Sequence, residues 1–105
     1  METKIRTENL TLTNDLEADV KLHLGFDNSA QYDQVNYVLV KLSEITDPKG
    51  NVKYNCLVSI ELAGIPTSVE VQNTEDDLNY AIELATKRAR KTALLWLRRY
   101  GSKSA

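Results

Sequence analysis

TEDDLNYAIELATKRARKTALLWLRRY, residues 74–100, reads as one long carboxyl-terminal helix. Thr74 followed three residues on by Asp77 is a capping signal, with Glu75 and Asp76 in the expected first turn. Such side chains accept bonds from orphan N–H groups and suit the positive end of the helix dipole. Gly101 is a common helix stop. At about 100° per residue, Leu78, Ala81, Ile82, Ala85, Ala89, Ala93 and Trp96 share one side, with Tyr100 closing the stripe. The opposite side carries Lys87, Arg90, Lys91 and Arg98, with Tyr80 and Leu94 among them, and Arg88 and Arg99 sit on a flank. The helix therefore has an apolar face to bury and a basic face to show.

Charge is segregated along the chain. Residues 1–86 hold 6 Lys+Arg against 15 Asp+Glu, a balance of −9. Residues 87–105 hold 7 Lys+Arg and no acid, a balance of +7, so the overall −2 conceals a polarised molecule. A basic helix face is most often simply solvated. Exposed helices, however, usually mix signs to gain i,i+4 pairs, and seven cations without an interleaved acid mark a phosphate-binding surface.

The chain in front of this helix supplies what it packs on. Lys4–Glu8 alternates around Ile5 and reads as a first strand. Asn14, with Glu17 three residues on, reads as the N-cap of a first helix from Asp15, with Leu16, Val20, His23 and Leu24 on one side. Gly25 and Asp27-Asn28-Ser29 are weak helix formers. The helix ends near Leu24 or continues through Phe26 and Ala30 towards Tyr32, and continuation is the reading preferred. Val35–Ile45 is apolar on both parities around Tyr37–Val40, the pattern of a central strand. Asp47-Pro48-Lys49-Gly50-Asn51 is a turn by its chemistry. Tyr54, Cys56, Val58, Ile60 and Leu62 then alternate with Lys53, Asn55, Ser59 and Glu61, leaving Leu57 as the exception. Ala63-Gly64-Ile65-Pro66 turns the chain again, and Thr67–Gln72 gives a last strand with Val69 and Val71 inward. The order β-α-β-β-β-α predicts an α+β two-layer sandwich. Its four-stranded mixed sheet carries two helices on one face, with the first strand joined to the second by a right-handed parallel crossover.

With 105 residues, 42% hydrophobic and 27% charged, the chain is expected to be one domain with a real core. Its apolar runs are far too short to span a bilayer, METKIRTENL shows no apolar signal region, and one cysteine makes no internal disulfide; a cytoplasmic protein is expected. Catalysis is not expected either. Cys56 sits on the inward parity of a strand as a small hydrophobe, and nothing places His23 beside it as a base. His23 has no partner at metal spacing, and Glu75-Asp76-Asp77 reads as dipole complement rather than a cation site. No dinucleotide, phosphate-loop or calcium-loop motif occurs. The expectation is no enzyme, no metal, no cofactor and no small-molecule substrate. Along the long helix, Lys87, Arg90, Lys91 and Arg98 recur about once per turn over roughly 16 Å. Such a row follows phosphates by shape and charge rather than by reading bases.

The order of motifs carries a family resemblance. Leu42-Ser43-Glu44 follows the second strand, then come a Gly turn, Cys56 in the third strand, Leu62-Ala63-Gly64, and a helix opening of Asp77-Leu78 with Ala81-Ile82 ahead of a Lys/Arg-rich run. Over most of its length the chain thus resembles the short ribosome hibernation-promoting and ribosome-associated inhibitor proteins. The resemblance implies a hibernation-factor-like domain over 1–100, and GSKSA at 101–105 reads by its composition as a short flexible tail. It implies a partner, the small ribosomal subunit with its rRNA, and inhibition of translation by occupying the mRNA and tRNA channel. The family's second-helix cations carry over onto Lys87, Arg88, Arg90 and Lys91, with Arg98 and Arg99 beyond. The family's first helix is basic as well; here it holds only Lys21 and His23 among Glu17, Asp19 and Asp27, and Lys21 is the cation expected to extend the RNA-binding surface onto it. The alternative reading is a protein-interaction module or homodimer. Its basic helix would dock an acidic surface, with Leu94 and Leu95 at the contact.

Overall fold

A computed structural model describes residues 2–25 and 32–100. Four strands and two helices follow one another as β1 (Glu2–Glu8), α1 (Asn14–Leu24), β2 (Val35–Thr46), β3 (Val52–Leu62), β4 (Val69–Glu75) and α2 (Leu78–Tyr100). A short 3₁₀ turn, Tyr32–Gln34, leads into β2. The sheet order is β1-β2-β3-β4, with β1 parallel to β2 and the other pairs antiparallel. This is the expected α+β architecture. The crossover through α1 makes the first pair parallel, and two tight turns make the remaining strands a meander.

Alternation decides which face is covered. Val38, Val40 and Leu42 of β2 and Cys56, Val58, Ile60 and Leu62 of β3 are buried, as is Val69 of β4. They form one core with Val20 and Leu24 of α1 and the inner face of α2. Four alanines, Ala81, Ala85, Ala89 and Ala93, are fully buried along α2. Their short side chains let the helix backbone lie close to β3 and β4. Packing of such a stripe supplies most of a helix's stability in a folded protein.

Both turns are built as their residues dictate. Asp47 Oδ1 accepts hydrogen bonds from the backbone N–H groups of Lys49 at 2.9 Å and Asn51 at 2.8 Å, and Gly50 adopts φ +89°. These N–H donors, that of Asn51 foremost, hold the Asp47 carboxyl below its usual pKa. The turn's electrostatic contribution is therefore present at neutral pH and fades as pH falls through the carboxylate range.

Several boundaries differ from the sequence expectation. The long helix begins at Leu78 rather than Thr74. Thr74 and Glu75 complete β4, and the Thr74 hydroxyl donates to Asn55 Oδ1 on the neighbouring strand at 2.9 Å. Asp77 is the cap instead, its carboxylate accepting from the Tyr80 N–H at 3.0 Å. Asp76 pairs with Lys53, so no acid remains in the first turn of α2. Strand pairing satisfies two hydrogen-bonding groups per alternate residue, which outcompetes an early helix start. α1 is capped by Thr13, not Asn14: the Thr13 hydroxyl oxygen accepts from the Leu16 N–H at 3.1 Å. α1 also stops at Leu24, against the preferred continuation towards Tyr32. Gly25 takes the left-handed conformation at φ +67° and its N–H bonds the Lys21 carbonyl, a glycine stop. Phe26 and Ala30 lie outside the described residues, as does the 101–105 tail. On α2, Leu97 and Thr86 are buried while Tyr100 is 55% exposed. The buried stripe therefore drifts round the helix away from the side expected.

Candidate nucleic-acid interface

The cations of α2 divide into three groups by what the fold does with them. Lys87 and Lys91, one turn apart, are exposed on the side away from the sheet, and Arg98 is exposed two turns further along the same side. Arg88 and Arg99 are exposed on one flank. Arg90, two residues from Arg88, points about 160° away from it, towards α1. There it is half-buried, and its Nη1 donates to the backbone carbonyl of His23 at 3.5 Å. A Cβ on Gly25 would lie 2.6 Å from that nitrogen. Arg90 thus covers the carboxyl end of α1, where unpaired carbonyls and the negative end of the helix dipole favour a cation. This corrects the outward placement expected for Arg90. The signal could have been read only with the position of α1 known.

Three of the five described lysines outside α2 are spent on the protein's own acids. Lys21 pairs with Glu17 at 3.3 Å, Lys41 with Glu8 at 3.0 Å, and Lys53 with Asp76. By contrast, among the described residues Lys87, Arg88, Lys91 and Arg99 have no carboxylate within salt-bridge distance. Exposed pairs of the first kind are worth at most about 1 kcal/mol each, so they are not what holds the fold. Their consequence is electrostatic: each masks one cation, while Lys87, Arg88, Lys91 and Arg99 stay unmasked. Lys21, the cation expected to extend the surface onto α1, is exposed but lies in the masked group.

Leu95 is 43% exposed among these cations, Tyr80 is 48% exposed and Leu94 is half-buried. Leu22 on α1 is 75% exposed. Cys56 is buried on the helix-facing side of β3, where desolvation pushes its thiol up to about 12. A thiol so placed stays protonated at neutral pH and lacks the thiolate that nucleophilic chemistry needs. His23 is half-buried beside the contact between the helices. Among the described residues no cluster of His, Cys, Asp or Glu is arranged to hold a metal ion. Among them, too, no helix is long and apolar enough to cross a membrane.

A mixed four-stranded sheet with two helices on one face is an α+β arrangement with solved representatives. The chain is similar in structure to a ribosomal subunit interface protein from Coxiella burnetii. That match has a TM-score of 0.69 and 13% identity, over 88% of this chain and 92% of that one. It is likewise similar to the N-terminal domain of Protein Y from Thermus thermophilus, with a TM-score of 0.66 and 24% identity over 85% and 90% of the two chains. No protein-family model and no curated protein matches the sequence at significance. The shared property is the fold, with the strand order and helix placement that the motif order in the sequence implies.

Proposed function

We propose that this protein binds the small ribosomal subunit through the basic face of α2 and inhibits translation by occluding the channel used by mRNA and tRNA. The observation that carries this reading is the unmasked state of Lys87, Arg88, Lys91 and Arg99 along one helix, whereas Lys21, Lys41 and Lys53 elsewhere pair with the protein's own carboxylates. The fold shared with a ribosomal subunit interface protein and with Protein Y supports it. Lys87 and Lys91 act as compact charges on successive phosphates, while Arg88 and Arg99 offer planar forks that grip a phosphate with two bonds. Arg98 extends the same face. Arg90 acts indirectly, by fixing α1 against α2, and Lys21 adds little while Glu17 holds it. Recognition of this kind follows backbone shape and carries no base sequence.

Co-sedimentation with purified small subunits tests the reading. The protein should pellet with them at low salt, be released as salt rises, and compete with a bound mRNA leader. Absence from the subunit fraction at both low and moderate salt would reject it. A second reading, a homodimer or protein-interaction module, is favoured by the exposure of Leu22 and Leu95 on the two helices. It requires a mass above that of one chain in light scattering, lost on Leu95→Lys.

A further inference from the structure

Trp96, which packs against the core as expected, and Tyr100, which does not, line one wall of an open cleft at the carboxyl end of α2. Their spacing of four residues sets the two rings one above the other on the same side of the helix. Trp96 is half-buried and Tyr100 is 55% exposed. The facing wall is the turn between β3 and β4, Gly64, Ile65, Pro66 and Thr67. Its backbone is fixed by a hydrogen bond from the Ile65 N–H to the Leu62 carbonyl at 3.2 Å and by φ +77° at Gly64. The cleft measures about 460 Å³, within the range of about 300–1,000 Å³ usual for sites that hold a small organic group.

The walls are aromatic and aliphatic, and the border on the α2 side is cationic, while Glu61 lies on the far side of the β3–β4 turn. Arg99 immediately precedes Tyr100 and is exposed on the flank next to Trp96. No Asp or Glu occurs from residue 87 to residue 105. An apolar slot beside an unmasked guanidinium fits a flat, uncharged ring that carries a phosphate.

We propose that this cleft takes one unstacked base of a single-stranded RNA, packed against Trp96 and Tyr100, with Arg99 on the adjoining phosphate. The proposal deepens the reading of α2 as an RNA-binding helix and rests on it. The lysine ridge supplies charge without regard to bases. The cleft adds a contact that only a base-bearing, single-stranded polyanion can make, because every base has a face to stack while a duplex offers none. A proline-rich peptide also suits aromatic-lined grooves, but gains nothing from the cationic border.

Trp96 is the sole tryptophan, so its emission reports on the cleft directly. The full chain is titrated at low salt with a ten-nucleotide oligouridylate and, separately, with inorganic polyphosphate of similar charge. The RNA should quench Trp96 emission saturably, and polyphosphate should bind without quenching. Tyr100→Ala, at an exposed position, should weaken RNA binding about tenfold and leave polyphosphate binding unchanged. Trp96→Phe should retain RNA binding within about threefold, since a ring remains. Equal quenching by both polyanions would overturn the proposal. So would RNA binding indifferent to Tyr100→Ala, or quenching by a proline-rich peptide in place of RNA. Lys87→Ala with Lys91→Ala separates the two claims. If RNA and polyphosphate binding both survive that change, the ridge is wrong and the cleft stands. If the RNA binds the ridge without quenching Trp96, the cleft is wrong and the ridge stands.

Discussion

The two helices lie side by side on one face of the sheet and differ in sign. α1 carries Asp15, Glu17 and Asp19 against Lys21, while α2 carries six cations against Glu83 alone. They also differ in how their cations are used. Lys21 is held by Glu17 one turn back, whereas Lys87 and Lys91 are held by nothing within reach among the described residues. A third behaviour appears at their contact, where Arg90 is withdrawn to cover the end of α1. Residue type therefore does not decide role on this surface. Position on the helix does, because a shift of one residue turns a side chain by about 100°. Lys91 faces outward while its neighbour Arg90 serves the fold.

Reversing the two outward lysines should give the largest effect. Lys87→Glu with Lys91→Glu is expected to weaken small-subunit binding on the order of 100-fold or more, through loss of phosphate contacts and added repulsion. Thermal melting should scarcely move, because both side chains are exposed. If melting falls with binding, the division between ridge and fold is wrong. Gly25→Ala attacks the other role. It should cost about 1–2 kcal/mol in denaturant unfolding, because an L side chain at φ +67° is strained, and its Cβ also displaces Arg90. Arg90→Ala should cost about 1 kcal/mol, lowering the melting temperature by several degrees, with subunit binding within about threefold of the parent. Loss of binding with no loss of stability would return Arg90 to the RNA face. Smallest is Glu17→Gln, which unmasks Lys21. An exposed pair is worth up to about 1 kcal/mol, so binding should tighten about two- to threefold at low salt. An unchanged affinity would place α1 away from the nucleic acid.

The strand order, the parallel first pair and the inward parity of β3 were legible in the sequence, because period-two patterns and turn chemistry are local. Helix ends were less so. Thr74 has the chemistry of a cap, but the partner strand offering Asn55 is 19 residues away, and no local signal reveals that β4 runs on to Glu75. Gly25 could be read either way until its left-handed backbone was seen. The candidate ridge was legible as charge, since a run without acids shows at once. Which of its cations face out was not, because that depends on where α1 lies against α2. The aromatic cleft was hidden for the same reason. Trp96 and Tyr100 fit a core stripe by spacing, and only the β3–β4 turn opposite them leaves a gap.

The most direct test of the central claim is the salt dependence of small-subunit binding, measured for the parent chain and for Lys87→Ala with Lys91→Ala. A cation that neutralises one phosphate contributes about 0.7–0.9 to the slope of log K against log salt. Loss of two should flatten that slope by about 1.4–1.8 units and weaken binding most at low salt. Parallel lines with the same slope would contradict the account, because the two lysines would then touch no phosphate at all.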